Sequence, residues 1–201
     1  MYWHIFVVST AFVILLFTVV ARVVLPNMDA SSNKLGDEFT NKKDNYAIKP
    51  PLHWNIQDRV PETSLVMLPR SGKYTYPPLI MIVRDNNAMR FASYLQEHKS
   101  RIAFKDKSVK WLGEGEDFID GCRTARLEYE WDGLTSDDKP VKVRTIQYVL
   151  EDRLRYYWIT CSAAADDFPA WLSKFEASAR SFNRTAILPQ QPQMLPTLAP
   201  Q

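Results

Sequence analysis

Four carboxylates cluster in one short, glycine-flanked segment, at Glu114, Glu116, Asp117 and Asp120. Carboxylate oxygens are the ligands that hard cations prefer, so one hypothesis is a calcium site. The spacing does not match an EF-hand loop, and a solvated acidic turn explains the same residues. Calorimetry with millimolar calcium would separate the two interpretations, and we predict no other cofactor.

The two cysteines, Cys122 and Cys161, could supply a nucleophile, a metal ligand or a disulfide. They lack CxxC spacing, and only the histidines at positions 4, 53 and 98 could complete a zinc site, which gives zinc little support. No histidine is placed by the sequence to activate Cys161, so we predict a buried structural cysteine. A single disulfide remains open at this point.

Motifs that carry enzyme chemistry are absent from the sequence. The pair Gly113-x-Gly115 is not followed by the third glycine of a dinucleotide loop, and no GxxxxGK[ST], HExxH or GxSxG sequence occurs. The 25 basic and 23 acidic residues are interleaved and give a net charge of +2, so no global field attracts nucleic acid. These observations favour a non-enzymatic protein that does not bind nucleic acid, with an unrecognised enzyme kept as an alternative.

The N-terminal segment is apolar over a length that suits a membrane span. Ile5 to Ala21 carries no charged side chain, and the apolar stretch from Tyr2 to Leu25 exceeds the roughly 20 residues that a spanning helix needs. A cleaved signal peptide is the alternative, but the run exceeds the usual signal core and no convincing A-x-A site precedes Pro26. We therefore predict a retained transmembrane signal-anchor helix over residues 1–26 that contacts the lipid bilayer through residues 2–25.

Two polar or proline-rich segments flank the predicted folded domain. Residues 27–51 consist largely of polar residues such as Asp, Asn, Ser and Lys, with one glycine, and have no apolar periodicity, which predicts a flexible tether. Residues 186–201 contain four prolines beyond Ile187 and no charged side chain, which predicts an extended or disordered tail. The predicted domain is therefore residues 52–185.

The most regular part of that domain lies between Val141 and Phe182. Val141–Leu150 and Arg155–Ser162 are rich in β-branched and aromatic residues around a polar turn, which predicts a β-hairpin. Apolar residues then recur at helical spacing after the Asp166-Asp167 pair, which offers N-cap carboxylates. Trp171 and Phe175 lie on the predicted buried stripe of this helix.

Upstream of this hairpin the pattern predicts further strands and one helix. The predicted strands are residues 64–68, 74–83, 108–112 and 118–131, with an acidic turn before the last of them. A helix from the capping residues Asp85, Asn86 and Asn87 to Phe104 places His98 on an apolar stripe, which favours a packed histidine over a catalytic one. The fold class is therefore α+β, an antiparallel sheet flanked by helices.

Several ordered features resemble the PsbP-like superfamily, the PsbP and DcrB-like proteins. They are the Pro77-Pro78 lead into an apolar strand, the Asp120-Gly121 turn, the strand end from Tyr157 to Ala163, and a final helix that ends near Ser181-Phe182. The resemblance covers about Trp54 to Arg184 and implies an α/β/α sandwich. The superfamily includes lumenal accessory proteins of photosystem II, bacterial periplasmic lipoproteins and a Ran-binding nuclear transport factor. This chain lacks the lipobox cysteine of the lipoprotein members.

The resemblance and the predicted anchor together predict a membrane-tethered interaction or assembly module. Such a module would be an accessory component of a membrane or envelope complex and would dock onto a protein partner. The alternative is an extracytoplasmic domain that binds calcium or a small ligand. The resemblance favours a periplasmic or lumenal domain, whereas Arg22 and Lys34 favour the opposite orientation by the positive-inside rule.

Overall fold

The computed structural model describes residues 33–58, 60–153 and 155–185. The predicted anchor, the first part of the predicted tether and the proline-rich tail lie outside the described residues. Within them the elements are β1 Phe39–Asn41, β2 Tyr46–Ile48, β3 Trp54–Gln57, β4 Leu65–Pro69, β5 Leu79–Asp85, α1 Phe91–Lys105, β6 Lys110–Ile119, β7 Cys122–Leu134, β8 Pro140–Asp152, β9 Arg155–Ala164, α2 Phe168–Arg180 and β10 Asn183–Arg184. Neither of these two helices combines the length and apolarity of a membrane span.

A seven-stranded sheet in the order β3-β4-β5-β9-β8-β7-β6 forms the centre of the domain. Every neighbouring pair in it is antiparallel, and a separate three-stranded sheet has the order β1-β2-β10. The predicted α+β class with an antiparallel sheet and flanking helices is confirmed for this part of the chain.

The predicted hairpin is the middle of the sheet. β9 pairs with β8 over its full length, with Tyr148 opposite Ile159 and Ile146 opposite Cys161. Arg153 has a φ of 56°, the left-handed conformation that a tight hairpin connection needs. Because alternate residues of a strand point to opposite faces, each strand contributes to two separate cores.

The first core lies on the α2 face, which we define as the side of the sheet covered by α2. Phe168, Phe175 and Ala179 of this helix pack with Ile146 and Tyr148, and these five residues have at most 1% exposure. Burial of aromatic and aliphatic side chains on this scale is the main favourable term in folding. The predicted packing of the C-terminal helix is therefore confirmed.

The second core lies on the α1 face, the opposite side of the sheet. Phe91 and Tyr94 of α1 pack there against Leu127, Val149 and Tyr156. The two helices therefore cover opposite faces of one sheet. This is the α/β/α sandwich that the family resemblance implies.

The predicted tether is partly folded. β1 and β2 lie inside it, and Tyr46 is fully buried, stacked on Phe182 at 5.3 Å between ring centroids. Short polar loops on either side dilute the apolar pattern, so the few buried residues of these strands give no periodic signal. The tether prediction is therefore wrong over residues 39–48.

Two local expectations also need correction. The acidic segment is a strand, β6, and the turn lies after it at Asp120-Gly121. Neither helix begins with a side-chain cap: α1 follows Arg90, and Asp167 before α2 makes no capping hydrogen bond. Before α1, the side chain of Asn87 instead accepts a hydrogen bond from the backbone N–H of Met89 at 2.9 Å, an Asx-type turn.

Candidate functional site

A groove of about 480 Å³ opens between α1 and the edge strand β6. Phe91, Leu95 and Ala125 supply its apolar lining. Its polar lining combines one amide with acidic and basic side chains, namely Gln96, Lys99, Glu114, Glu116 and Arg123. A groove with an apolar lining and a few charged groups at its rim suits a bound side chain better than a bare ion.

The groove exists because β6 and β7 form a tight hairpin. Ile119 pairs with Cys122, and the two residues between them, Asp120 and Gly121, have φ values of 51° and 69°. Positive φ at both positions is the signature of a type I′ turn, for which Asp-Gly is a preferred sequence. The turn holds β6 beside β7 as the last strand of the sheet.

The acidic residues that line the groove are paired with basic side chains. Lys99 of α1 contacts Glu114 at 2.5 Å, and its ammonium lies 5.5 Å from the centre of the Trp111 ring. Arg123 of β7 pairs with Glu116, and this hydrogen bond raises the pKa of the arginine. Both glutamates stay largely in contact with water, with side-chain exposures of 46% and 65%.

The other two predicted site residues point elsewhere. Asp117 pairs with Arg180 of α2 at 2.9 Å, on the opposite side of the sheet from the groove. Asp120 in the turn accepts hydrogen bonds from the side chain and backbone of Arg184, at 2.7 and 2.9 Å. The four carboxylates therefore do not converge, and no group of three or more metal-ligating side chains occurs in the described ranges. Calcium binding stays a prediction.

Beneath α1 lies a buried polar layer that the sequence analysis did not predict. The Nε2 of His98 lies 2.7 Å from the side-chain oxygen of Gln147, whose amide donates to the hydroxyl of Thr160 at 2.8 Å. All three residues are buried. The prediction of a packed, hydrogen-bonded His98 is confirmed.

The protonation state of His98 follows from this arrangement. Since the Gln147 oxygen accepts a hydrogen bond, His98 carries its proton on Nε2, and its buried Nδ1 has no partner in the described structure. Burial lowers the pKa of His98 to about 4, although the contact with Gln147 acts in the opposite direction. The histidine is therefore neutral near pH 7 and holds α1 on the sheet through a neutral hydrogen bond.

The polar layer continues on both sides of His98. Trp158 donates its indole N–H to the hydroxyl of Tyr94 at 2.6 Å, and Tyr94 in turn donates to Asp85 at 2.8 Å. Further along the same face, Trp131 donates to Thr145 at 3.0 Å. α1 is thus positioned by specific hydrogen bonds as well as by packing, which fixes the wall of the groove.

Comparison with protein-family models finds no match, and no curated protein matches the chain. Solved structures do match. Cyanobacterial PsbP from Synechocystis sp. PCC 6803 is 17% identical, covers 80% of this chain and 98% of its own, and gives a TM-score of 0.51. The chain has a PsbP-like fold.

Two further solved structures have this PsbP-like fold at lower identity. LpqN, involved in cell envelope biogenesis of Mycobacterium tuberculosis, is 12% identical, covers 75% of this chain and 90% of its own, and has a TM-score of 0.55. The Saccharomyces cerevisiae Ran-binding protein Mog1p is 12% identical, covers 75% of this chain and 96% of its own, and has a TM-score of 0.52. At these identities the likeness concerns the fold alone.

Within the PsbP-like fold the two cysteines are free and buried. Cys161 lies in the middle of the sheet, where burial raises the pKa of its thiol. Burial also raises the pKa of the Cys122 thiol. A thiol with a raised pKa forms little of the thiolate that acts as a nucleophile, and the prediction of a structural Cys161 agrees with its position.

The groove was missed because its residues are far apart in sequence. Lys99, Glu114 and Arg123 come from three different elements, and only the PsbP-like arrangement of α1 over the sheet brings them together. The polar layer, in contrast, does leave a recognisable pattern in the sequence. Polar residues recur at two-residue spacing within apolar strands, Thr145 and Gln147 in β8 and Thr160 and Ser162 in β9, and such residues share one face.

Proposed function

We propose that this protein is an interaction module that binds a protein partner through the groove between α1 and β6. The observation that carries this proposal is a set of exposed apolar side chains on β6 and α1, the two elements that form the groove. Trp111, Leu112 and Phe118 of β6 are exposed, and so is Phe104 near the end of α1. Exposed apolar side chains grouped around a concave surface are characteristic of protein-binding sites.

An accessory role in a membrane or envelope complex extends this proposal. The apolar N-terminal sequence supports a membrane anchor, which would keep the domain close to other membrane proteins and raise their effective concentration. The involvement of LpqN in cell envelope biogenesis is compatible with such a role.

A periplasmic or lumenal location for the domain belongs to the same proposal, and protease treatment of intact cells or spheroplasts tests it. Digestion of the domain without lysis is expected.

Site-specific photo-crosslinking tests the groove directly. A photoreactive amino acid replaces Gln96, an exposed residue of the groove, in the full-length protein in its native membranes. We expect a discrete crosslinked product containing a second protein. Leu112→Asp should abolish it, because a charge replaces an exposed apolar side chain of β6 that is close in sequence to the groove residues Glu114 and Gly115.

Leu52 provides a matched control for Leu112. Its exposure is 41% against 39% for Leu112, and it lies just before β3, at the opposite edge of the sheet. Leu52→Asp should leave the crosslink intact, and a photoreactive group at position 52 should not give the same product. Equal crosslinking from both positions, or no crosslink from position 96, would refute the proposed binding groove.

A further inference from the structure

We infer that the partner binds by adding an extended strand to β6, with lysine or arginine alternating with bulky apolar residues in that strand. This inference rests on the proposed function and specifies the chemistry of the partner. Among residues 33–58, 60–153 and 155–185, β6 is the terminal strand of the sheet and pairs with β7 only. Addition of a strand to an exposed edge is a common mode of peptide recognition, in which the backbone supplies affinity and alternate side chains supply specificity.

The two edges of the sheet differ in how they are protected. β3, at one edge, has only four residues, whereas β6 has ten, contains no proline and has its one lysine at its first position. Natural proteins usually shorten, charge or cover edge strands to prevent unwanted pairing, and of these devices β6 has charge, from its carboxylates. β6 has a bulge near Leu112, but from Gly113 to Ile119 its register with β7 is regular. This regular stretch offers a continuous edge to another strand.

The negative charges of Glu114 and Glu116 favour basic residues at alternate positions of the added strand. Glu114 and Glu116 point to the same face, and their cationic partners, Lys99 and Arg123, come from the interior side of β6. The carboxylates are still 46% and 65% exposed. Lysine or arginine directly across from them in an antiparallel strand would form favourable cross-strand pairs.

The same sheet already contains such a pairing. On β7, Asp132 lies directly across from Lys142 of β8, whereas Glu128 lies diagonally across from Arg144, whose direct partner is Glu130. Lys142 contacts Asp132 at 2.5 Å, and Arg144 donates from Nε to Glu128 at 2.8 Å. Valines at positions 141 and 143 alternate with these basic residues. β8 is thus an internal example of the strand that we infer for the partner.

The open space beside Gly113 and Gly115 favours bulky residues at the intervening positions of the added strand. Gly113 and Gly115 alternate with the two glutamates and so belong to the other face of β6. A Cβ atom at either glycine would meet no other atom within 4 Å. Aromatic side chains across from glycines in a neighbouring strand cover the exposed backbone, an arrangement that stabilises strand pairs. The partner strand therefore alternates a basic residue with a large apolar one.

Fluorescence anisotropy with short peptides tests this pattern on the full-length protein in nonionic detergent. The probe is a labelled peptide Thr-Lys-Phe-Lys-Phe-Thr, and its control is Thr-Lys-Lys-Phe-Phe-Thr, which has the same composition without the alternation. We expect the alternating peptide to bind about tenfold more tightly, the size of effect that a few cross-strand pairs produce. Hydrogen exchange of the β6 amides should slow when the alternating peptide binds.

A charge reversal separates specific pairing from general attraction. The E114K/E116K variant should lose about tenfold in affinity for the lysine peptide and should gain affinity for the same peptide with glutamate in place of lysine. Because both glutamates are exposed, this variant should melt within a few degrees of the wild type. The E114Q/E116Q variant repeats the loss if the reversed charges disturb folding.

Several outcomes would overturn the inference. Equal binding of the two peptides, or unchanged exchange of the β6 amides, would exclude strand addition. If Leu112→Asp still abolishes the crosslink in membranes in that case, the proposed function stands and only the inferred mode of binding fails. A dimer seen by light scattering that Leu112→Asp dissociates and Leu52→Asp does not would make a second copy of the chain the occupant of the edge.

Discussion

The two faces of the central sheet are built from different chemistry. The α2 face is apolar, and α2 covers it with Phe168, Phe175 and Ala179. The α1 face combines a smaller apolar cluster with a layer of hydrogen bonds that includes His98 and Gln147. Both helices lie on the same strands, so the difference comes from the alternate residues of each strand.

This difference in chemistry indicates that the two faces contribute differently to stability and to the geometry of the groove. An apolar core stabilises through buried area and tolerates small shifts of the helix, whereas a buried hydrogen bond requires one arrangement. α1 buries only Phe91, Tyr94 and His98, whereas α2 buries five residues. We interpret the α2 face as the main source of stability and the α1 face as the part that sets the geometry of the groove.

Truncation on the α2 face should have the largest effect on stability. Phe175→Ala removes a fully buried ring that packs against Phe168 and Trp54, with centroid distances of 5.7 and 6.3 Å. We expect a loss of about 3–5 kcal/mol in the free energy of unfolding, measured by chemical denaturation. Trp171 is only partly buried, so Trp171→Ala should cost less.

An exposed position on the same helix provides the control. Ser173→Ala should change the free energy of unfolding by less than about 0.5 kcal/mol, because the side chain lies in water. If Phe175→Ala has an effect as small as that of Ser173→Ala, the α2 face is not the main source of stability.

The burial of His98 on the α1 face should make the free energy of unfolding depend on pH in the acidic range. The pKa of this histidine is about 4 in the folded protein, below the ordinary value of 6.5. Above pH 6.5 both the folded and the unfolded state hold it neutral, and it contributes no pH dependence. As the pH falls from 6.5 towards 4, the unfolded state takes up a proton that the folded state does not, so the free energy of unfolding should fall by about 3 kcal/mol.

The His98→Gln variant isolates this effect from the titration of the carboxylates. The free energies of unfolding of the wild type and the variant, measured from about pH 7 down to about pH 4, should converge as the pH falls, since only the wild type carries the histidine penalty. Parallel curves across this range would show that His98 is accessible to protons in the folded state, against its position beneath α1.

Replacement of Gln147 by methionine tests how much the buried hydrogen bonds of the α1 face contribute to stability, with little change in side-chain volume. Gln147→Met leaves the Nε2–H of His98 without its acceptor and removes the donor to Thr160. We expect a loss of about 1–3 kcal/mol, the cost of unsatisfied buried polar groups. Combination with His98→Phe should restore part of the loss, because the unsatisfied donor is then removed. An additive loss in the double variant would argue against the His98–Gln147 hydrogen bond.

The α2 face was largely predictable from the sequence, since its residues follow regular periods. Apolar residues recur at helical spacing around Trp171 and Phe175, and β-branched and aromatic residues fill both strands of the central hairpin. Hairpin, helix and their mutual packing depend on neighbours in sequence. Local patterns are enough for such contacts.

β6 and the groove were not predictable in the same way. Glycine, glutamate and aspartate are disfavoured in strands, so the sequence pattern predicts a turn over Gly113 to Asp117. The segment forms a strand because it lies at the edge, where its side chains reach water and pair with Lys99, Arg123 and Arg180. These partners come from α1, β7 and α2, and no local pattern encodes such distant pairs.

The smallest expected effect concerns the ion pair across the groove, between Lys99 and Glu114. Both side chains are partly exposed, at 27% and 46%, so water screens their attraction and a double-mutant cycle with Lys99→Met and Glu114→Gln should give a coupling below about 1 kcal/mol. Addition of salt should reduce it further. A coupling of several kcal/mol would make the groove a source of stability, like the α2 face. A small coupling means that the charges at the groove contribute little to folding and can be exchanged for those that suit a partner.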